Sequence, residues 1–443
     1  MKNKIFFVVL LLVTRYGFCD NENRTVHIFV QSCDGGQFFI DGTEVKYKKI
    51  LQDKTLGMFE ANIHRDAREL RIEKTGYQPK IFFLQKEFFL YDYEFCISPR
   101  SFSLQRKHCT KPYTIFIALD KINSRCRFVN AFDCASKPKS LSFINEDTLI
   151  IPLLDDEGFQ VMNIKNGTTC LIRPPEKYAK QRGFVESLYL KHKEEIWVSQ
   201  MTTACVHVFS AQDFSYITTI QSSGSWSKVL AYNPVTNDVY LSNWLSKNIS
   251  VIDPDTYREK KVIPLSRVPR GIEISADGTT LYFAEFEDAS GASTGHVLKF
   301  SLEDAAVKKS LGVRGAKRHC VKDDKRNLLY VSDMSKKIIE VFSLVDDSLV
   351  ATIPVYDNPN TIVLSFDKRY LIVSCRGPNN PDKGYLYAGY RMGQVYIIDT
   401  QNFKTCDIIE GGNQPTGLAF SPDGKTFAFS DFLDARIRIY ELK

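Results

Sequence analysis

The sequence predicts an all-β protein, a seven-bladed β-propeller preceded by a small β-sandwich-like module. Three observations carry that expectation. Short apolar runs separated by turn residues fill residues 113–443. These runs recur in a fixed order at starts about 42 residues apart, the spacing of a four-stranded propeller blade. Residues 25–90 lack this period and alternate short strands with Gly-containing turns.

The clearest repeat unit is the last, 417–443. An apolar run, 417–421 (GLAFS), is followed by Pro422, Asp423 and Gly424. Pro presets φ and Gly accepts positive φ, so this triplet makes a tight turn. A second run, 427–431, and an alternating stretch, 437–442, complete three strands. Aligning on this unit gives starts at 140 (SLSFI), 187 (SLYLK), 229 (VLAYN), 271 (GIEIS), 319 (HCVKD), 361 (TIVLS) and 417 (GLAFS). A second and a third strand follow each start, and a fourth usually does, as in 260–265 (KKVIPL). Seven starts imply seven blades, with an eighth, incomplete blade as the alternative.

The last unit lacks a fourth strand. Residues 114–120 (TIFIALD) and 126–131 align with the third and fourth strands of a preceding unit. The stretch 113–131 is therefore expected to complete the last blade and close the ring, which removes the open edges. Two insertions, 376–394 and 287–295, fall between second and third strands and so emerge on one face.

Residues 1–19 have the layout of an export signal. Lys2 and Lys4 precede an apolar stretch, 5–13, too short to span a bilayer as a helix. Either cleavage falls before Asp20, or Cys19 is the lipid-modified first residue of a bacterial lipoprotein; Tyr16, Gly17 and Phe18 match a lipobox poorly. The expected division is a signal at 1–19, a β module at 20–90, a linker at 91–112 and a propeller at 113–443.

Composition narrows the function. Hydrophobic residues make up 44% of the chain, which argues against disorder, and the net charge of +6 without a dense basic run gives no footing for nucleic acid. The eleven Cys contain no CxxC pair. Cys126, Cys170 and Cys406 occupy equivalent repeat positions, too far apart to bond, whereas Cys96 with Cys109 and Cys126 with Cys134 are close enough in sequence to pair. The seven His lack paired ligand spacing, and no P-loop or GxSxG is present. Trp197, Trp226 and Trp244 read as blade packing.

Residues 329–332 (LYVS) with Asp333, 251–254 (VIDP) with Thr256, 397–400 (IIDT), and 413–417 (NQPTG) leading to Ser421 and Pro422 form a pattern. It resembles the YVTN family of bacterial propellers. Residues 39–42 (FIDG) and 73–77 (EKTGY) resemble a PEGA domain, without that family's middle turn. These resemblances imply a bacterial exported protein of the periplasm or outer membrane, a monomer whose partner is an envelope protein or peptidoglycan.

In a propeller, second-strand ends and first-strand starts ring the central channel. Asn243, Trp244, Glu285, Asp333, Arg376 and Asp431 end second strands, and first strands begin beside Lys228, Arg270, Arg318, His319, Asn360 and Thr416. The alignment thus collects three carboxylates and three arginines on one rim. Carboxylates in that number suit a divalent cation, Ca²⁺ or Mg²⁺, and water activation for lactone hydrolysis. Paired with the arginines they would instead solvate the pore or bind a small polar ligand. The expected function is a non-catalytic envelope scaffold or adaptor without a cofactor, the alternative a periplasmic metal-dependent hydrolase of the lactonase type.

Overall fold

The computed structural model describes residues 23–443 apart from 32–35, 53–55, 65–66, 75, 78–79, 84–91, 99–100, 108–112, 119–123, 288–290 and 389–390. The export signal, Cys19 and Cys109 lie outside the described residues. No described helix is long and apolar enough to cross a membrane. The chain divides into two compact units, the second holding residues 123–443 and 97–103.

The first unit contains two four-stranded sheets. One places Asn23–Gln31 between Tyr113–Ala118 and Leu56–His64, with Tyr47–Gln52 at the edge. The other runs Thr43–Glu44, Gln37–Ile40, Glu69–Glu73, Lys80–Phe83. Ile28, Phe59 and Ile63 from the first sheet share one core with Phe38, Leu70 and Ile72 from the second. Alternation supplies this: in Glu69–Glu73 only Leu70 and Ile72 are buried. The unit is a two-sheet sandwich. Asp92–Ser98 and Ser101–Lys107, in the stretch expected to be a linker, form a separate two-stranded sheet.

The described residues of the second unit form seven four-stranded antiparallel sheets. Blade 1 runs Ser142–Phe143, Thr148–Pro152, Phe159–Asn163, Thr169–Ile172, and blade 2 Phe184–Leu190, Glu195–Gln200, Cys205–Ser210, Tyr216–Gln221. Blade 3 runs Ser227–Asn233, Asp238–Asn243, Asn248–Asp253, Arg258–Pro264, and blade 4 Pro269–Ile274, Thr280–Glu285, Gly295–Ser301, Ala306–Gly315. Blade 5 runs Lys317–Asp323, Leu328–Asp333, Ile338–Ser343, Leu349–Pro354, and blade 6 Pro359–Leu364, Tyr370–Cys375, Gln394–Asp399, Lys404–Glu410. Blade 7 takes Pro415–Phe420, Thr426–Asp431 and Arg436–Leu442, with Cys126–Asp133 as its outer strand. Each inner strand contacts the inner strand of the next blade, and that of blade 7 contacts blade 1, so the ring is closed.

Burial explains the apolar runs. Second strands are buried on both faces, as in Leu328–Asp333, because a neighbouring blade covers each side. Outer strands meet water, and in Arg258–Pro264 only Ile263 is buried. The cores lie between blades: Tyr330, Ile339 and Val341 of blade 5 pack with Ile362, Leu371 and Val373 of blade 6. Each such side chain contributes roughly 1.5–3 kcal/mol of burial.

The closing strand differs from the expected one. Only Cys126–Asp133 joins the last blade, pairing antiparallel with Arg436–Leu442 from Cys126↔Leu442 to Asp133↔Arg436. Tyr113–Ala118, expected to open the propeller, pairs in parallel with Asn23–Gln31 of the first unit. A single strand suffices because the C-terminal segment already supplies the third. Phe128 meets Tyr440 edge-on at 5.3 Å, Tyr440 stacks on Phe427 and Phe429, and Asp407 of blade 6 accepts from the Arg125 amide at 2.9 Å. No disulfide joins Cys126 and Cys134, so the pairing open to them in sequence is not formed.

Deleting 126–133 leaves Arg436–Leu442 as an unpaired edge and exposes Tyr440. The expected result is a fall in melting temperature on the order of 10 °C, with aggregation on refolding, read by circular dichroism. An unchanged transition would show that the ring does not depend on this strand.

Candidate functional site

The channel mouth is built by one local device repeated around the ring. In six blades the first residue of the inner strand pairs with the last residue of the second strand, and the register then shifts. The pairs are Phe184↔Gln200, Ser227↔Asn243, Pro269↔Glu285, Lys317↔Asp333, Pro359↔Cys375 and Pro415↔Asp431. A β-bulge bends its strand and re-aims side chains, and bulges recur next to functional sites for that reason. Here the bulged segments hold Lys228, Arg270, Arg318, Asn360 and Thr416.

A serine near the end of the second strand secures the bulge. Ser332 Oγ accepts from the His319 amide at 3.1 Å and donates to the Asn360 carbonyl of the next blade at 3.1 Å. Ser374 accepts from the Thr361 amide at 3.1 Å and donates to the Thr416 carbonyl at 3.0 Å. Ser430 accepts from the Gly417 amide and donates to the Pro138 carbonyl, while Ser199 donates to the Lys228 carbonyl at 2.6 Å. The hydroxyls of Ser332, Ser374 and Ser430 each satisfy an amide that the bulge frees, and all four serines tie adjacent blades together.

The resulting cavity of about 140 Å³ is lined by Lys139, Glu186, Lys228, Arg318 and His319, with Leu141, Val185 and Leu418 among its apolar walls. Arg270 and Arg376 act electrostatically on Lys139 and Lys228, which places them in the same cluster. Aromatic rings back the cations. Trp244 lies 3.8 Å from Lys228 Nζ and 3.6 Å from the Arg270 guanidinium, and Phe286 also faces Arg270 at 4.5 Å. Tyr385, from the long 376–394 insertion, lies 5.0 Å from Lys139 Nζ and 5.1 Å from Arg376, and Phe432 lies 4.7 Å from Lys139 Nζ. Among the described residues none of these five cations forms an ion pair with a carboxylate. Arg318 Nε donates to Asn360 at 3.0 Å, whereas Arg270 Nε and Arg376 Nε are buried without a partner.

Burial and like charge strain the cluster. Burial, then Arg376, Arg318 and Arg270, hold the Lys139 ammonium well below its ordinary range, and burial followed by Arg270 does the same for Lys228. Burial, then Arg318, lowers Arg376 to about 10. Glu186 is the carboxylate of the cavity, lifted to about 7 by burial against the pull of the Ser140 hydroxyl and Arg318. His319 is pushed down to about 3 by burial and then by Arg318, so its ring is neutral at pH 7.

The predicted acidic rim is not formed. Asp333 is fully buried and bonds Lys317 Nζ at 2.8 Å, and Lys317 also bonds Glu340 at 2.5 Å. Asp431 accepts from Arg438 Nε at 2.6 Å and from the Gly412 amide at 2.7 Å. Glu285 faces Arg267 at 3.8 Å, and burial raises its carboxyl above the ordinary carboxylate range. Asn243 bonds Ser227, Asn248 and Ser250 inside its blade. The reason is geometric: the residue ending a second strand pairs with the start of the inner strand and turns into its own blade. Backbone covers it there; a Cβ on Gly315 would fall 1.8 Å from Asp333 Oδ2, and one on Gly412 2.7 Å from Asp431. Among the described residues no group of three or more His, Cys, Asp or Glu could hold a metal ion.

Of the predicted residues, Trp244, Arg270, Arg318, His319 and Arg376 meet at the mouth, while Asn243, Glu285, Asp333 and Asp431 do not. Lys139 and Glu186 were missed. Their signal was present: both stand immediately before an aligned strand start, as do Lys228, Arg270 and Arg318.

No protein-family model matches the chain. Antigen Lp49 of Leptospira interrogans serogroup Icterohaemorrhagiae serovar copenhageni is 45% identical over 325 residues, 73% of this chain and 71% of that protein. The uncharacterized protein YncE of Salmonella typhi is 38% identical over 56 residues, 13% of this chain and 16% of that protein. Among solved structures, a chain of Kuenenia stuttgartiensis hydrazine synthase is similar with a TM-score of 0.58 at 16% identity, covering 68% of this chain and 95% of that one. At that identity the likeness concerns the fold alone.

Two outcomes test the site's construction. Ser374→Ala strands a buried amide and a carbonyl, and should cost about 2 kcal/mol in urea unfolding. His319→Gln should lessen the loss of stability on acidification. A His near 6.5 when unfolded but near 3 when folded gives stability that is present above 6.5 and lost as pH falls toward 3. Parallel acid dependence of the two proteins, followed by unfolding at several pH values, would contradict this.

Proposed function

Because the chain belongs to the family of antigen Lp49, we propose that it is an exported, non-catalytic binding propeller of the bacterial cell envelope. It resides in the periplasm or at the outer membrane, either held by a lipid on Cys19 or released by cleavage before Asp20. The channel mouth receives the ligand, and the first unit serves as spacer or adaptor toward an envelope protein or peptidoglycan. The observation carrying this reading is a cavity lined by Lys139, Lys228 and Arg318 from different blades, with Arg270 beside Lys228 on the Trp244 ring and Arg376 beside Lys139 on the Tyr385 ring. Polar groups converging on a cavity with apolar walls are the signature of a small-ligand site.

The metal-hydrolase alternative lacks its donor set. The three carboxylates that would hold the ion are buried, with Asp333 and Asp431 bonded to cations of their own blades. Unpaired cations within the cavity would also repel a divalent metal.

The test is a thermal-shift screen of the mature protein with anionic metabolites, neutral sugars, peptidoglycan fragments, Ca²⁺ and Mg²⁺. At least one small ligand should raise the melting temperature, and Trp244→Ala should remove that shift. Neither metal ion should act. Stabilisation by Ca²⁺ together with lactone hydrolysis that disappears in Glu285→Ala would replace this reading with the enzyme.

A further inference from the structure

We propose that the channel mouth binds a compact, multiply charged oxyanion, a phosphate or clustered-carboxylate group held by Lys139, Lys228, Arg270, Arg318 and Arg376. This rests on the reading of the mouth as a ligand site and names the chemistry it takes. Five cationic side chains from five blades face one another, and none has a carboxylate partner among the described residues. Burying charge without a partner is costly, so such groups are ordinarily paired. The charges elsewhere in the same ring obey that rule, as Lys317 with Asp333 and Glu340, and Arg438 with Asp431, show.

The aromatic rings do not replace the missing anion. They lie behind the cations: Trp244 serves both Lys228 and Arg270, and Tyr385 serves both Lys139 and Arg376. Ring faces hold a cation's position but do not neutralise its charge. Arg270 Nε and Arg376 Nε are buried and without partner. Guanidinium forks match carboxylate and phosphate oxygens in geometry. Glu186, in the cavity, and Glu287, which acts on Arg270, leave the cations in excess. The volume sets the size: about 140 Å³ is close to a cavity of roughly 150 Å³ that holds one benzene. A phosphate or tricarboxylate head fits within it, with any remainder of a larger ligand extending out of the mouth.

The experiment is isothermal titration of the mature protein at low ionic strength with inorganic phosphate, pyrophosphate and citrate, against chloride and glucose at matched ionic strength. Pyrophosphate or citrate should bind, and the stronger of the two identifies the source as phosphate or carboxylate. Arg270→Gln combined with Arg376→Gln should weaken binding at least tenfold. The same variant without ligand should melt no lower than the parent, because it removes unpaired like charges; Arg127→Gln, on the outer surface, serves as control. The proposal falls if none of the three oxyanions binds, if the double variant binds them unchanged, or if chloride matches them. If a neutral sugar binds and Trp244→Ala removes it while oxyanions stay silent, the oxyanion assignment fails and the ligand-site reading stands. Silence of every ligand overturns both.

Discussion

The structure turns on a bulge that recurs at the start of the inner strands. A regular antiparallel strand would alternate its side chains between the two faces of a blade, and neighbouring blades would bury both. The bulge breaks that alternation just after the first pair and directs a residue toward the axis. It also frees a buried amide, a cost of about 1–3 kcal/mol if left unmet. Second-strand serine hydroxyls meet it in blades 3, 5, 6 and 7, and in blades 2, 5, 6 and 7 such a hydroxyl reaches a carbonyl of the adjacent blade. The same bond therefore shapes the channel and couples the blades. Blade 4 has Ala284 at this position and lacks the hydroxyl, and Gly271 sits in its bulge against His319 and Cys320 of blade 5.

This device separates two populations of charge. Residues that end second strands are drawn into the blades, where Asp333 and Asp431 meet Lys317 and Arg438. These pairs define register more than they stabilise, since desolvation offsets much of the Coulombic gain in a buried pair. Residues on the bulges are left to the channel, where Lys228, Arg270 and Arg318 form no ion pair with a carboxylate among the described residues. A blade can keep its internal ion pairs and its core while the channel residue changes from lysine to asparagine or threonine. Channel charge is thus a free variable of the fold, and here most of it is positive.

Much of the architecture was legible in the sequence because period and alternation report burial directly. The seven strand starts, the second strands and the insertions between second and third strands all lie where the pattern placed them. The pairing partner of 113–118 was not legible. Its alternation fits any half-buried strand, and only tertiary contact with Asn23–Gln31 selects the parallel pair. At the site, residue type and axial level were legible but direction was not. Asp333 and Arg318 belong to the same mouth, and one turns into the blade because its strand is regular there, while the other turns inward because its strand is bulged. A register shift of one residue leaves no mark in hydrophobic periodicity. The serines that accompany it do leave one, in 197–200 (WVSQ), 240–243 (YLSN), 330–333 (YVSD) and 428–431 (AFSD).

The ring symmetry lets the fold be shared independently of what lines the channel. A hydrazine synthase chain has the same fold at 16% identity, which fixes blades and channel and says nothing of what fills the channel. The site is built at positions the core does not constrain: a cation stands before four of the seven strand starts, Arg376 just after a second strand, and Tyr385 on an insertion that the repeat does not need. Tyr385 leaves blade 6, stacks near Phe432 of blade 7 at 6.3 Å and reaches Lys139 of blade 1. One loop thereby joins the last blades to the first across the closure of the ring. The closing strand, Cys126–Asp133, secures the same junction from the outside. Closure and site assembly therefore meet at one junction, because Lys139, which lines the mouth, follows the closing strand by only a few residues.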